Sequence, residues 1–163
     1  MFETRGVVGY EFVTFEHTTL TPFVGFGYRR LTNELGSVEG GYDRESNYFY
    51  SPIGIESNSA LGNGWFLGLT MEYDVFWKGT QNSNMSDLAF GYSDLEHEQK
   101  DGYGLRASMK FHNSKFIIEP FIKYWNIDDS EYEVLTYYDY PVGMTLEPEN
   151  TSTEFGLILS YRF

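Results

Sequence analysis

Catalysis by side chains needs a nucleophile and a base within hydrogen-bond reach of each other, and this chain offers few candidates. It has three histidines, His17, His97 and His112, and no cysteine. His17 and His112 fall in short turns, and His97 falls in the loop segment Leu95-Glu96-His97-Glu98-Gln99. Ser93 and Asp94 stand close to His97 along the chain, but adjacency within one loop does not make a triad. Glu72 and Asp74 share one strand face, which suits paired carboxylates, yet basic residues share that face and point to ion pairing. No acidic spacing matches an EF-hand loop, and without cysteine there is neither a disulfide framework nor a thiolate metal site. The expectation is no enzyme, no cofactor and no metal. A net charge of -13 argues against nucleic acid, whose phosphates need clustered Lys and Arg.

The elements that must carry these residues are strands. From Trp65 to Lys78, Trp65, Leu67, Leu69, Met71, Tyr73, Val75 and Trp77 alternate with Phe66, Gly68, Thr70, Glu72, Asp74, Phe76 and Lys78. Side chains alternate faces along a strand, so one face is apolar with tryptophan at both ends and the other carries charge and glycine. An apolar band between aromatic girdles is what a strand needs to cross a bilayer in a barrel. Mean hydropathy is only -0.40, because alternating strands average out as polar. Aromatics reach 19%, with 14 Tyr and 14 Phe among 163 residues, a length suited to one domain.

The pattern recurs in six further strands. Their apolar faces are Phe2, Val8, Tyr10 and Phe12; Leu20, Pro22, Val24, Phe26 and Tyr28; Phe49, Ile53 and Ile55; Tyr103, Leu105, Ala107, Met109 and Phe111; Phe116, Ile118, Ile122 and Tyr124; and Phe155, Leu157, Leu159, Tyr161 and Phe163. Short connections at 13–18, 57–64 and 112–114 alternate with long ones at 32–43, 79–101 and 128–152. Outer-membrane barrels have short periplasmic turns and long extracellular loops, so Phe163 is expected at the periplasmic end. Glycines fall mostly on the polar face, including Gly25, Gly27, Gly54, Gly104 and Gly156, as a crowded concave side requires. The fold expected is all-β: an antiparallel transmembrane up-and-down β-barrel spanning residues 1–163, with seven strands of an expected eight. Single-chain barrels have even strand numbers, and Met1-Phe2-Glu3-Thr4-Arg5 is no signal peptide. A first strand and a signal are therefore expected upstream.

At this point the chain resembles the small outer-membrane β-barrel family, the OmpA-type transmembrane domain and its stand-alone relatives. The resemblance rests on the repeated strand pattern, on the segment from Thr21 through Pro22, Gly25 and Gly27 to Arg29, and on the ending Glu154-Phe155-Gly156-Leu157-Ile158-Leu159-Ser160-Tyr161-Arg162-Phe163. That ending is similar to the signal read by the barrel-insertion machinery. The resemblance covers the barrel pattern and not a peptidoglycan-binding domain, so wall anchoring is not expected from it. The resemblance implies a Gram-negative outer-membrane location, with lipid and lipopolysaccharide as neighbours.

On this layout the lumen holds a charge network of Arg5, Glu11, Arg29, Glu56, Glu72, Asp74, Arg106, Lys110, Glu119, Lys123, Glu154 and Arg162, joined by Glu3, Arg44 and Lys78. Buried charges persist only when paired, so near balance predicts a salt-bridged plug rather than an open pore. The aromatic girdle comprises Tyr10, Tyr28, Trp65, Trp77, Tyr103, Tyr124 and Phe163. The acidic excess sits in the loops as a solvated surface, with divalent-cation bridging to lipid phosphate as the sharper alternative. The segment 131–140 reads as a tyrosine-rich hairpin extending the flanking strands and ended by Pro141, a surface that a partner could use. The function expected is a structural or surface-interaction protein. The alternatives are a soluble lipocalin-like barrel binding an apolar ligand, with every face reversed, and a lipid A-modifying enzyme.

Overall fold

Strict alternation becomes strand wherever a neighbour is available to pair, and here nearly every alternating run pairs with the next. The computed structural model describes residues 1–15 and 17–163, and the side chains of 13–15 are outside that description. The turn expected at 13–18 therefore lies partly outside the described residues. The strands are β1 (Phe2–Gly9), β2 (Phe12–Phe15), β3 (Thr18–Asn33), β4 (Arg44–Gly62), β5 (Trp65–Ser83), β6 (Leu95–Gln99), β7 (Gly102–His112), β8 (Phe116–Ile127), β9 (Glu133–Tyr137), β10 (Tyr140–Thr145) and β11 (Asn150–Tyr161). A single 3-10 turn, Met85–Asp87, interrupts them.

The main sheet is an antiparallel meander in the order β1-β3-β4-β5-β7-β8-β11. β2 continues the line of β1 along β3, and β6 pairs with the upper part of β5. The sheet curls but does not close, since no ladder joins β1 to β11 among the described residues. The all-β antiparallel expectation holds in that coarser form. β9 and β10 form a separate hairpin.

The curl gives the sheet two unlike faces. Tyr50 is fully buried against Trp125, their rings 5.1 Å apart, and Tyr48 packs on Phe76 at 5.9 Å. Glycine makes the room for these rings. A Cβ at Gly27 would strike the Tyr50 ring, at Gly54 the Phe23 ring, and at Gly156 the Phe121 ring. Inward glycine and inward aromatic thus fit as socket and plug on neighbouring strands. Gly27→Val is accordingly expected to cost about 1–3 kcal/mol by forcing Tyr50 off its seat. Equilibrium unfolding of the variant checks this, and Gly6→Val, where nothing lies within 4 Å, is the matched control.

The convex face is apolar and exposed. Val8, Val24, Phe26, Ile53, Leu69, Met71, Tyr73, Leu105, Met109, Ile122, Phe155, Leu157 and Leu159 all point into the surroundings. Rows of aromatics bound this belt. Toward the loop end Tyr73 stacks on Tyr103 at 6.1 Å, Tyr103 meets Tyr124 at 6.0 Å, and Tyr28 meets Phe49 at 5.1 Å. Toward the turn end Phe116, Tyr161 and Phe163 form a second row, each contact near 5 Å.

Several expectations need correction. The ladder slips between the pairs Phe49–Lys78 and Tyr50–Phe76, leaving Trp77 as the extra residue of a bulge. A bulge shifts alternation by one residue, so Lys78 leaves the lumen side and pairs outside with Glu98 at 3.0 Å. Above it Gly79, Gln81 and Ser83 become the inward set. The interval 79–101 is strand at both ends, in the last residues of β5 and in β6, rather than loop throughout, and His97 sits buried on β6. The hairpin β9–β10 stands apart from β8 and β11 instead of extending them, and Pro141 lies within β10 rather than ending it. Its turn uses Tyr138 and Asp139, with φ of 47° and 66°. The connection at 57–64 tightens to Asn63, flanked by Gly62 and Gly64, all at positive φ.

Candidate functional site

The concave interior gathers many charged side chains among the described residues, and at its core four of them form a ring across the curl. The ladders place Glu3 opposite Arg29 and Glu154 opposite Lys123. The ion pairs run the other way: Arg29 with Glu154, and Lys123 Nζ with Glu3 Oε2 at 2.5 Å. Each edge strand of the sheet is thus tied through the interior to the strand next to the opposite edge. The Tyr50 hydroxyl donates to Glu3 Oε1 at 2.8 Å, and the Arg29 guanidinium lies 5.5 Å over the Trp125 ring. Arg29 is 2% exposed, and its Nη1 has no hydrogen-bond partner.

Below this ring Arg5 pairs with Glu72, and Lys110 Nζ meets Glu56 at 2.8 Å. Ser108 Oγ donates to Glu119 at 2.8 Å, and Arg106 lies 5.4 Å over Phe121. Glu72 Oε2 and Asp74 Oδ1 are buried without partners. Most of the expected network is therefore gathered in one interior. Two members are not. Glu11 falls in the break between β1 and β2 and is exposed, and Arg162 lies past the end of β11, exposed, with its backbone N–H on Lys115 O at 2.8 Å. Alternation placed both inside, but neither has a strand partner there to hold it.

Cavities remain within the curl. One of about 560 Å³ is lined by Arg29, Tyr48, Phe121, Trp125 and Glu154. A second, of about 360 Å³, is lined by Arg5, Val7, Glu56, Lys110, Glu119 and Ile158. The first also has Leu31 and Ile127 in its wall and is mainly apolar around the Arg29–Glu154 pair, the second is lined largely by charge, and the long apolar faces of the strands are the exposed ones.

A second polar layer, missed from sequence, caps the loop end. Ser46 pairs with Gln81, Gln99 Nε2 donates to Asp128 O at 2.9 Å, and His97 Nε2 lies 3.1 Å from Thr145 Oγ1. Arg44, expected in the lumen, pairs here with Glu147, whose N–H donates to Ser130 Oγ at 2.8 Å. The signal was available as the polar run Thr80-Gln81-Asn82-Ser83 continuing β5, but only the Trp77 bulge turns it inward. Ser93 Oγ accepts from Thr136 N–H and Asp94 from Ser86 N–H, so Ser93, Asp94 and His97 are each engaged separately. No cluster of three metal-ligating side chains occurs among the described residues.

At the rim Arg30 pairs with Glu45, whose carboxyl is held below its ordinary range by the Asn47 amide and by Arg30. Glu98 is likewise held low by Lys78, and Lys100 is raised by Glu131. The girdle residues occupy the convex face as rows, with Tyr28 donating to Asn47 at 2.5 Å, Trp65 and Trp77 exposed, and Tyr10 exposed at the strand break. The tip of the hairpin carries an aromatic group in which Tyr137 meets Tyr138 at 4.7 Å and Tyr92 at 5.0 Å, with Phe90 at 6.2 Å from Tyr138.

Compared with protein-family models and with curated proteins, the chain matches none.

Proposed function

We propose that the protein is an outer-membrane β-barrel wall of a Gram-negative bacterium, with a side-chain-filled lumen, acting as a structural or surface-interaction protein of the OmpA-type kind. One observation carries the reading: a continuous exposed apolar belt, bounded above and below by aromatic rows, encloses an interior of paired charges. Soluble monomers rarely expose contiguous apolar patches beyond a few hundred Å², and buried charge is ordinarily the minority content of a core. Bilayer solvent reverses both preferences. The dimensions agree: Trp65 to Trp77, at about 3.3 Å per residue and a tilt near 40°, spans roughly 30 Å of membrane normal.

The ion pairs and the Tyr50–Trp125 contact that reach across the curl favour a structural role over conduction. The surface-interaction part rests on the aromatic hairpin tip, since tyrosines give large contact area at low entropic cost. Lipid and lipopolysaccharide are the partners of the belt and rim.

Partitioning and gel mobility test the reading. The protein is expected to be folded and monomeric only in detergent or bilayers, and to migrate differently before and after boiling. A folded monomer in plain buffer would overturn it.

A further inference from the structure

The rings at the tip of the β9–β10 hairpin are held by more than contact with one another. Tyr138 and Asp139 make its turn, with φ of 47° and 66°. A two-residue turn with both φ positive suits Asn-Gly; a tyrosine and an aspartate adopt it under strain. The segment before β6 docks against this turn. Tyr138 N–H donates to Gly91 O at 2.8 Å, Ser93 N–H donates to Thr136 O at 3.0 Å, and Tyr92 bridges to Tyr137 between them. Gly91 itself sits at φ 113°, where a Cβ would come within 2.9 Å of the Tyr138 ring and 3.0 Å of the Tyr137 ring. Strain, close approach and cross-segment hydrogen bonds thus gather Phe90, Tyr92, Tyr137 and Tyr138 in one place. That place is no core. Phe90 is 86% exposed and Tyr138 55%, so burial offsets little of the strain, and strain of that kind gathers at functional sites.

The ring planes of Tyr137 and Phe90 stand at 75° and 72° to that of Tyr138, which makes an exposed corner of rings rather than a stack. Its electrostatic setting has one sign. The segments 79–101 and 128–152, which carry the rings, hold twelve carboxylates against the single Lys100, and that lysine is paired with Glu131. We infer that this corner binds a weakly hydrated organic cation of the quaternary-ammonium class, such as choline. Ring faces attract a cation within about 6 Å of their centroids. A quaternary ammonium has no N–H to satisfy, whereas a primary ammonium is compact and strongly hydrated. The carboxylates around the corner add attraction within a Debye length. They also repel any cation that carries its own anion close by, as a betaine or a phosphocholine headgroup does, so the ligand is the free cation. The inference deepens the surface-interaction part of the proposed function and rests on it; the membrane part is not needed.

Choline chloride is the probe, titrated into the full chain in maltoside micelles at constant ionic strength. Ring-proton shifts of Phe90, Tyr137 and Tyr138 are expected to move saturably. 3,3-Dimethylbutan-1-ol, which has the shape of choline without its charge, and glycine betaine are each expected to bind about tenfold more weakly or worse. Tyr138→Asn removes a ring and suits the left-handed turn, so choline affinity is expected to fall about tenfold with no loss of stability on unfolding. Phe90→Leu keeps the bulk, loses the π face and is expected to weaken binding in the same direction. Equal binding of the uncharged alcohol would overturn the inference, as would tighter binding of ethylguanidinium, unchanged affinity in both variants, or no saturable shift with choline. A soluble paramagnetic agent added to the same sample separates the two readings. Rings that it broadens but that ignore choline defeat the ligand class alone; rings that it fails to reach are packed away, and the surface-interaction reading falls with the inference.

Discussion

Arg29→Ala is expected to destabilise the protein by about 3–5 kcal/mol, the cost of leaving a buried charge without its partner. Arg29 is nearly inaccessible, pairs with Glu154, faces Glu3 across the β1–β3 ladder and covers Trp125. Its removal leaves one carboxylate of the four-charge ring without compensation and opens space beside an indole. The double variant Arg29→Met with Glu154→Leu removes both ends of one pair. It is expected to lose much less than Arg29→Ala, because apolar residues of similar volume often replace a buried ion pair at little cost. Urea unfolding of the three proteins in the same detergent separates the terms. An alanine variant within about 0.5 kcal/mol of the parent, the range of ordinary surface changes, would mean that the ring is not a buried network.

The second large effect tests the other face. Met71 lies midway between Trp65 and Trp77, points outward and is 70% exposed. In a bilayer, Met71→Arg is expected to cost about 2–4 kcal/mol, as charge at the midplane of a barrel wall does. In water the same change at so exposed a site would stay within about 0.5 kcal/mol. Val142→Arg, on the hairpin outside the belt and also exposed, is the control and is expected to be near neutral in either solvent. Folding equilibria measured in lipid vesicles give the comparison. A neutral Met71→Arg there would remove the belt from the hydrocarbon.

Alternation made most of the fold legible before any coordinates. Wherever a residue period of two ran unbroken between turns, as from Gly102 to Phe111 or from Phe116 to Tyr124, the observed strand and its outward set are those the sequence indicates. What alternation could not show was its own interruption. The bulge at Trp77 leaves the local pattern of types intact while reversing which side Lys78 faces. A sequence read strand by strand carries no mark of a register slip, because the slip is a property of two strands. The same limit hid the polar cap. Gln81, Ser83, His97 and Gln99 read as loop because they lack apolar periodicity, and they take strand positions through the β4–β5 and β5–β6 ladders. Glu11 and Arg162 failed for the opposite reason, having the right parity but no neighbouring strand to hold it. The charge ring itself was legible as a set of residues but not as a pattern of pairs. Which cation meets which carboxylate across the concave face depends on the curl, which no single strand encodes.

The meander has a kinetic consequence. Each ladder of the main sheet joins strands that follow one another around the wall, so pairing can spread from any hairpin at small loop-closure cost and without waiting for distant chain. The ion pairs Arg29–Glu154 and Lys123–Glu3, like Arg44–Glu147 at the loop end, are exceptions, with their partners more than a hundred residues apart. They form only when the curl is complete. Stabilisation gained that late slows unfolding and leaves the folding rate almost untouched. The ring therefore works as a latch: it does little to bring the wall together and much to keep it from coming apart.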